Sequence, residues 1–168
     1  MSARIFVLSH NSDLYMEADS YHTHSEEETR SIGKRFAEKI TPGEIIALAG
    51  DLGAGKTEFV RGVCSYFSVH DIVSSPTFTI MNQYIGSNPD GSEIALYHID
   101  LYRIQDVKEL LEIGFSECMS DDQVIKFVEW PEKAGSTMPS IDWKVTIKSV
   151  IEQEDERVIN IEYLGDNR

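Results

Sequence analysis

Gly50-Asp51-Leu52-Gly53-Ala54-Gly55-Lys56-Thr57 fits the phosphate-loop pattern GxxxxGK[ST] at every defined position. The chemistry open to such a stretch is anion binding. Glycines let consecutive backbone N–H groups turn inward as a nest, and the start of a following helix adds a dipole that favours negative charge. Lys56 is placed to reach terminal phosphates. Thr57 offers a hydroxyl of the kind that ligates magnesium, which takes hard oxygen ligands and keeps several waters. These residues point to a bound nucleoside triphosphate.

A phosphate loop alone binds; hydrolysis also needs an acid at the end of a neighbouring strand and a group that positions the nucleophile. Two apolar runs end in an acid: Ile94 to Ile99 closes on Asp100, and Val124 to Val128 closes on Glu129. Ligands gather at such strand ends in α/β sheets. Arg103 can pair with an acid or reach a phosphate oxygen, since its planar fork suits both. Thr77 and Phe78 follow a proline turn one strand beyond the loop, where nucleotide hydrolases place a segment that senses the terminal phosphate.

The elements that must hold these groups are read from periodicity and punctuation. Ile45-Ile46-Ala47-Leu48-Ala49 reads as a buried strand before the loop, and Phe59, Val63 and Phe67 recur at helical spacing after it. Upstream, Ser25-Glu26-Glu27-Glu28 reads as a capping box that opens a helix with Ile32, Phe36, Ala37 and Ile40 on its apolar stripe, ended by Pro42-Gly43. Downstream, Thr79 to Tyr84 reads as a strand, Gly86 to Ser92 as a long hairpin tip, and Ile94 to Asp100 as the returning strand. That hairpin predicts a mixed rather than a purely parallel sheet. Asp106 is expected to cap a short helix carrying Val107, Leu110 and Leu111, stopped near Gly114. Trp143, Val145 and Ile147 alternate, acidic turn residues follow around Glu152 to Glu156, and Val158 to Leu164 completes a terminal antiparallel pair. Residues 1–23 are read as an N-terminal extension with one possible edge strand and no assigned role. At its end, His22 and the following His24 lack neighbouring metal ligands in sequence and read as a solvated approach to the first helix.

The bulk numbers bound the function. At 168 residues the chain suits one domain with a proper core. Lys plus Arg number 15 against 29 Asp plus Glu, a formal net charge of −14, which disfavours a protein that grips nucleic acid with its own surface. Cys64 and Cys118 make no disulfide framework, and Cys64 falls on the inward face of the loop's helix. Ile5-Phe6-Val7-Leu8 is broken at once by polar residues and is no signal peptide. A soluble cytoplasmic protein without membrane contact is expected.

Four motifs taken together carry a family resemblance. The loop itself, Ser75-Pro76-Thr77-Phe78, Tyr97-His98-Ile99-Asp100-Leu101-Tyr102-Arg103 and Phe127-Val128-Glu129-Trp130-Pro131 occur in the order and spacing of the bacterial TsaE (YjeE) proteins, over about residues 25–150. The resemblance implies a single α/β phosphate-loop NTPase domain with a mixed, partly antiparallel sheet flanked by helices. It also implies ATP and Mg2+ as cofactors and slow ATP hydrolysis in support of tRNA threonylcarbamoyladenosine formation. The implied partners are the TsaD–TsaB pair, with TsaC acting functionally upstream and tRNA met only indirectly. By the same resemblance Asp51, Leu52, Gly53, Ala54, Gly55, Lys56, Thr57, Glu58, Thr77 and Trp130 line the nucleotide. Thr57 and Glu129 are the implied magnesium ligands, and Lys56, Asp100 and Glu129 the implied catalytic groups. Many relatives carry a second threonine where this chain has Glu58, which puts a like charge beside the phosphates unless it faces solvent. A small-molecule kinase would need an arginine-bearing lid, and Arg103 is the only arginine between Arg61 and Arg157. No Asn-Lys-x-Asp run is present to read guanine. A pure binding switch, with hydrolysis incidental, is the remaining alternative.

Overall fold

A computed structural model describes residues 3–4, 18–150 and 153–165. Its centre is a strand buried on both faces, β3 (Ile45–Ala49), which feeds the phosphate loop. Ile46 and Leu48 enter one apolar core and Ile45 the other, as expected of a parallel strand covered on both sides. β3 pairs in parallel with β6 (Val124–Glu129) and with β7 (Trp143–Val150). Beyond β6 lies β5 (Glu93–Asp100), again parallel, and then β4 (Met81–Ser87), antiparallel to β5. Beyond β7 lie β8 (Gln153–Tyr163), β2 (Ala18–Thr23) and the two-residue β1 (Ala3–Arg4), all antiparallel to their neighbours. The order is β1-β2-β8-β7-β3-β6-β5-β4, the mixed sheet expected from the hairpin.

Two helices cover the first face. α1 (Glu26–Phe36) starts at Ser25, whose side chain accepts from the Glu28 N–H at 3.1 Å. The reciprocal half of the box is displaced by one residue, because the Glu28 carboxylate accepts from the His24 N–H at 2.8 Å rather than from Ser25. Ile32, Phe36, Ala37 and Ile40 are buried, as their spacing requires. α2 (Lys56–Tyr66) buries Phe59, Val60 and Val63 against α1 and the sheet, with Phe36 5.5 Å from Phe59 between ring centroids. The two helices approach so closely that a β-carbon at Gly62 would lie 2.0 Å from the Arg30 carbonyl oxygen. Only glycine fits there.

On the opposite face α3 (Lys108–Glu112) and α4 (Phe115–Ser120) pack Leu110, Phe115 and Met119 against Ile99 and Val128. α4 was not expected. Gly114 at φ 68 ends one helix and opens the other, so the stop signal was read correctly but the restart was not. Of the three apolar residues assigned to α3's inner side only Leu110 is buried; Val107 and Leu111 are exposed. Asp106 does accept from the Lys108 N–H at 2.9 Å. Three further boundaries shift. Residues 76–80 form a turn rather than the start of a strand, with Thr79 and Ile80 N–H groups both donating to the Pro76 carbonyl. Gly86 and Ser87 pair with Ile94 and Glu93, so the hairpin tip is shorter than its turn-rich sequence suggests. Glu154, Asp155 and Glu156 belong to β8, while Glu152 and the Ile5 to Leu8 stretch lie outside the described residues. β2 is also a strand where a polar approach was expected, because β8 offers it a paired edge.

Candidate active site

β3 stops at Ala49, and the loop delivers the chain into α2 with Gly55 as N-cap at φ 106, a left-handed conformation that L side chains rarely adopt. No side chain caps α2, so the amides at its start keep their capacity for an anion. Lys56 folds back over the loop. Its ammonium donates to the carbonyls of Gly50 at 2.8 Å and Asp51 at 2.9 Å, and lies 3.3 Å from Glu129 Oε2. Ala54 is buried beneath the turn, donating to the Asp51 carbonyl at 3.1 Å, and Leu52 stands exposed outside it.

The sheet register brings the two acids side by side. Asp100 is opposite Glu129 across β5 and β6, and Glu129 is opposite Leu48 across β6 and β3, so three parallel strands end at one edge. Glu129 is buried between the Lys56 ammonium, near one carboxylate oxygen, and the His98 ring on the other, whose Nε2 donates to Oε1 at 2.8 Å. Asp100 is held differently. Its Oδ1 accepts from the Tyr102 N–H at 2.9 Å and its Oδ2 from the Thr77 hydroxyl at 2.5 Å. Since Thr77 has one hydroxyl hydrogen and gives it to Asp100, Ser75 donates to Thr77 across 2.8 Å. The Ser75 to Phe78 segment is thereby latched to the acid at the end of β5.

A cavity of about 190 Å³ opens at the start of α2, walled by Gly53, Lys56, Thr57, Glu58, Thr77 and Glu129. Asp100 reaches it only through Thr77. A larger hollow of about 490 Å³ lies on the other side of the loop, along Gly50, Asp51, Trp130 and Lys144. The chemistry points to the smaller one, where the free amides of the helix start, a hydroxyl, a carboxylate and an ammonium converge. Trp130, which lines the larger one, sits at φ 57, with the Lys56 ammonium 5.5 Å from its ring centroid and Tyr102 at 5.2 Å.

The family model for threonylcarbamoyl adenosine biosynthesis protein TsaE matches residues 23–159. The chain belongs to the TsaE family. The TsaE protein of Bacillus subtilis is 35% identical over 150 residues, covering 89% of each chain. That of Rickettsia conorii is 40% identical over 109 residues, which span 64% of this chain and 58% of the relative's own length. Among solved structures, Bacillus subtilis YdiB superimposes with a TM-score of 0.70 at 31% identity, covering 91% of this chain and 90% of that one.

Several side chains of this TsaE-family member sit otherwise than their sequence suggested. Glu58 does not face solvent: its carboxylate takes Arg30 Nε at 2.5 Å and the Arg61 guanidinium as well, so its charge is already matched beside the loop. Arg103 lies over the Phe78 ring at 4.3 Å rather than against an acid, tying β5's exit to the Ser75 to Phe78 segment. His22 and His24 do have a third group near them, Glu156 from β8, bonded to both rings at 3.1 and 3.0 Å. The pairing satisfies these exposed groups mutually, far in sequence though they are. Cys64 is buried as expected. Two residues of the site were missed. His98 was seen only as part of a motif, and its role as the second partner of Glu129 needs the register of β5 and β6. Arg157, from β8, also lines the small cavity, and no local signal marks it. Among the described residues no helix is long and apolar enough to cross a membrane.

Proposed function

We propose that this chain is a magnesium-dependent ATPase that acts in the cytoplasm, in tRNA threonylcarbamoyladenosine formation, by supporting turnover of the TsaD–TsaB complex. The observation that carries the reading is the convergence of Lys56, Thr57, Thr77 and Glu129 on the cavity at the start of α2. Backbone amides from Gly53 to Thr57 cradle the phosphates, with Asp51, Leu52 and Glu58 flanking the cradle and Trp130 beside it. Lys56 exchanges its loop carbonyls for phosphate oxygens, which are stronger acceptors. The donor set fits magnesium: Thr57 supplies a hydroxyl and Glu129 a carboxylate, both hard oxygen ligands on one cavity wall. An ion held by Thr57 and Glu129 would supply neutralisation of the phosphate charge. His98 keeps Glu129 oriented while Lys56 leaves it. Asp100, held on both oxygens, orients a water toward the terminal phosphate. Thr77, at the cavity wall and bonded to Asp100, senses that phosphate, which couples occupancy of the site to the Ser75 to Phe78 segment.

The acidic surface, at −14, supports a protein that works beside tRNA held by others. Calorimetric titration with ATP and GTP, with and without magnesium, tests the reading. Saturable ATP binding that Lys56→Ala abolishes is the expected result; no binding, or binding indifferent to Lys56, contradicts it.

A further inference from the structure

β8 alternates, and its core-facing side runs Arg157, Ile159, Ile161, so a guanidinium occupies the end of an otherwise apolar row. Arg157 is only 8% exposed, and among the described residues its Nε and Nη1 have no hydrogen-bond partner. An arginine stays charged at any accessible pH, and burying it unpaired is strongly unfavourable. The acids around it are engaged elsewhere. Glu26 and Glu58 pair with Arg30, Glu58 also with Arg61, and Glu129 with Lys56 and His98. What the guanidinium does face is the start of α2: it lines the same cavity as Gly53 and Lys56, and a β-carbon on Gly55 would lie 3.2 Å from its Nε. Its placement is fixed from two sides. Thr23 of β2 is its register partner, and the Thr23 hydroxyl is bonded to Thr29 of α1 at 3.1 Å, closing the space behind it.

We infer that Arg157 is a phosphate-binding residue of the nucleotide site, its missing partner being the phosphate chain of the nucleoside di- or triphosphate in the loop. This rests on the proposed nucleotide binding. The fork of the guanidinium can take two oxygens at once, in the cavity that Lys56 also lines, so that the phosphates are gripped from β8 as well as from α2. The buried charge and the anion then satisfy each other, and β8, at the far side of the sheet from β5, becomes part of the site.

The test is calorimetric titration of the full chain with Mg-ADP and Mg-ATP, comparing the natural protein, Arg157→Gln, Arg157→Lys and Lys56→Ala. Arg157→Gln is expected to bind both nucleotides roughly 10- to 100-fold more weakly, the loss expected for a charge-assisted hydrogen bond, with Arg157→Lys in between. A packing role alone would lower the melting midpoint of the free protein and leave Mg-ADP affinity within about twofold, and that result overturns the inference. Should Arg157→Gln fail to fold, the Arg157 Nε–H resonance of the natural protein decides: it shifts with Mg-ADP occupancy if the inference holds and stays fixed if it does not. Absence of nucleotide binding by the natural protein removes the proposed function and this inference together, whereas binding unaffected by Arg157 removes the inference alone.

Discussion

Asp100 and Glu129 are both buried carboxylates, yet their partners divide the work between them. Glu129 is bonded to the Lys56 ammonium and the His98 ring and, on the proposed reading, is suited to a metal; Asp100 accepts from Thr77 and the Tyr102 N–H and is suited to hold a water. Asp100→Asn is therefore expected to lower ATP turnover about 100-fold or more while changing nucleotide affinity little, a split seen by comparing kcat with the calorimetric Kd. In cells that carry only Asp100→Ala, normal threonylcarbamoyladenosine levels would remove this residue from the site. Thr77→Ala is expected to act through Asp100, lowering kcat with KM nearly unchanged, and Thr77→Ser to restore it; failure of serine to rescue would mean that the methyl group, not the hydroxyl, matters. The two cysteines are set apart by burial, which pushes the Cys64 thiol up to about 12 and the Cys118 thiol up to about 11. Neither thiolate is populated near neutrality, so iodoacetamide at pH 8 is expected to label the folded protein far more slowly than the unfolded chain, and rapid labelling read by mass spectrometry would contradict that. At this scale the sequence was informative wherever a side chain sat at a strand end or inside a motif. It was silent on Arg157 and on the fate of Glu58, because their partners come from other elements and only the folded sheet brings them near.

The elements were most legible where period and punctuation agreed. β3 is an unbroken apolar run closed by a glycine loop, β5 and β6 are largely apolar runs closed by an acid, and α1 carries a capping box and a stripe, so each was readable alone. β2 and α4 were not, since a six-residue half-buried strand and a six-residue helix carry too little pattern to outweigh their polar residues. The tightest constraint between elements is the crossing of α1 and α2, where Gly62 touches the Arg30 carbonyl and Gly33 the Phe59 carbonyl. Gly62→Ala forces the helices apart and is expected to cost about 3 kcal/mol, measured by urea denaturation. A change below about 0.5 kcal/mol would mean that the helices slide apart freely, and would undo the argument that this contact fixes α2 and its loop. Ser25→Ala removes one cap hydrogen bond and is expected to cost about 1 kcal/mol in the same assay.

For the whole molecule, the sheet order explains why so much of the site converges: β3 lies between β6 and β7, so the loop opens between an acid-bearing half of the sheet and the antiparallel β7–β8–β2 half that supplies Arg157. The family was legible because four motifs fall on three adjacent strand ends and the segment latched to them; the contribution of β8 was not, because it lies beyond the last of those motifs. The net charge of −14 sets a second expectation at this scale. The purified chain alone is expected not to retain tRNA in a filter-binding assay at physiological salt, and salt-sensitive retention would reveal a basic face that the total charge conceals. The proposed partner-supported ATPase is tested by ATP turnover with magnesium, measured for the protein alone and with the TsaD–TsaB pair, with Lys56→Ala as blank. Turnover is expected to be slow alone, well under the roughly 1–100 per second of kinases, to rise when the pair is added and to be absent in Lys56→Ala. Turnover that ignores the pair, or that survives loss of Lys56, would contradict it.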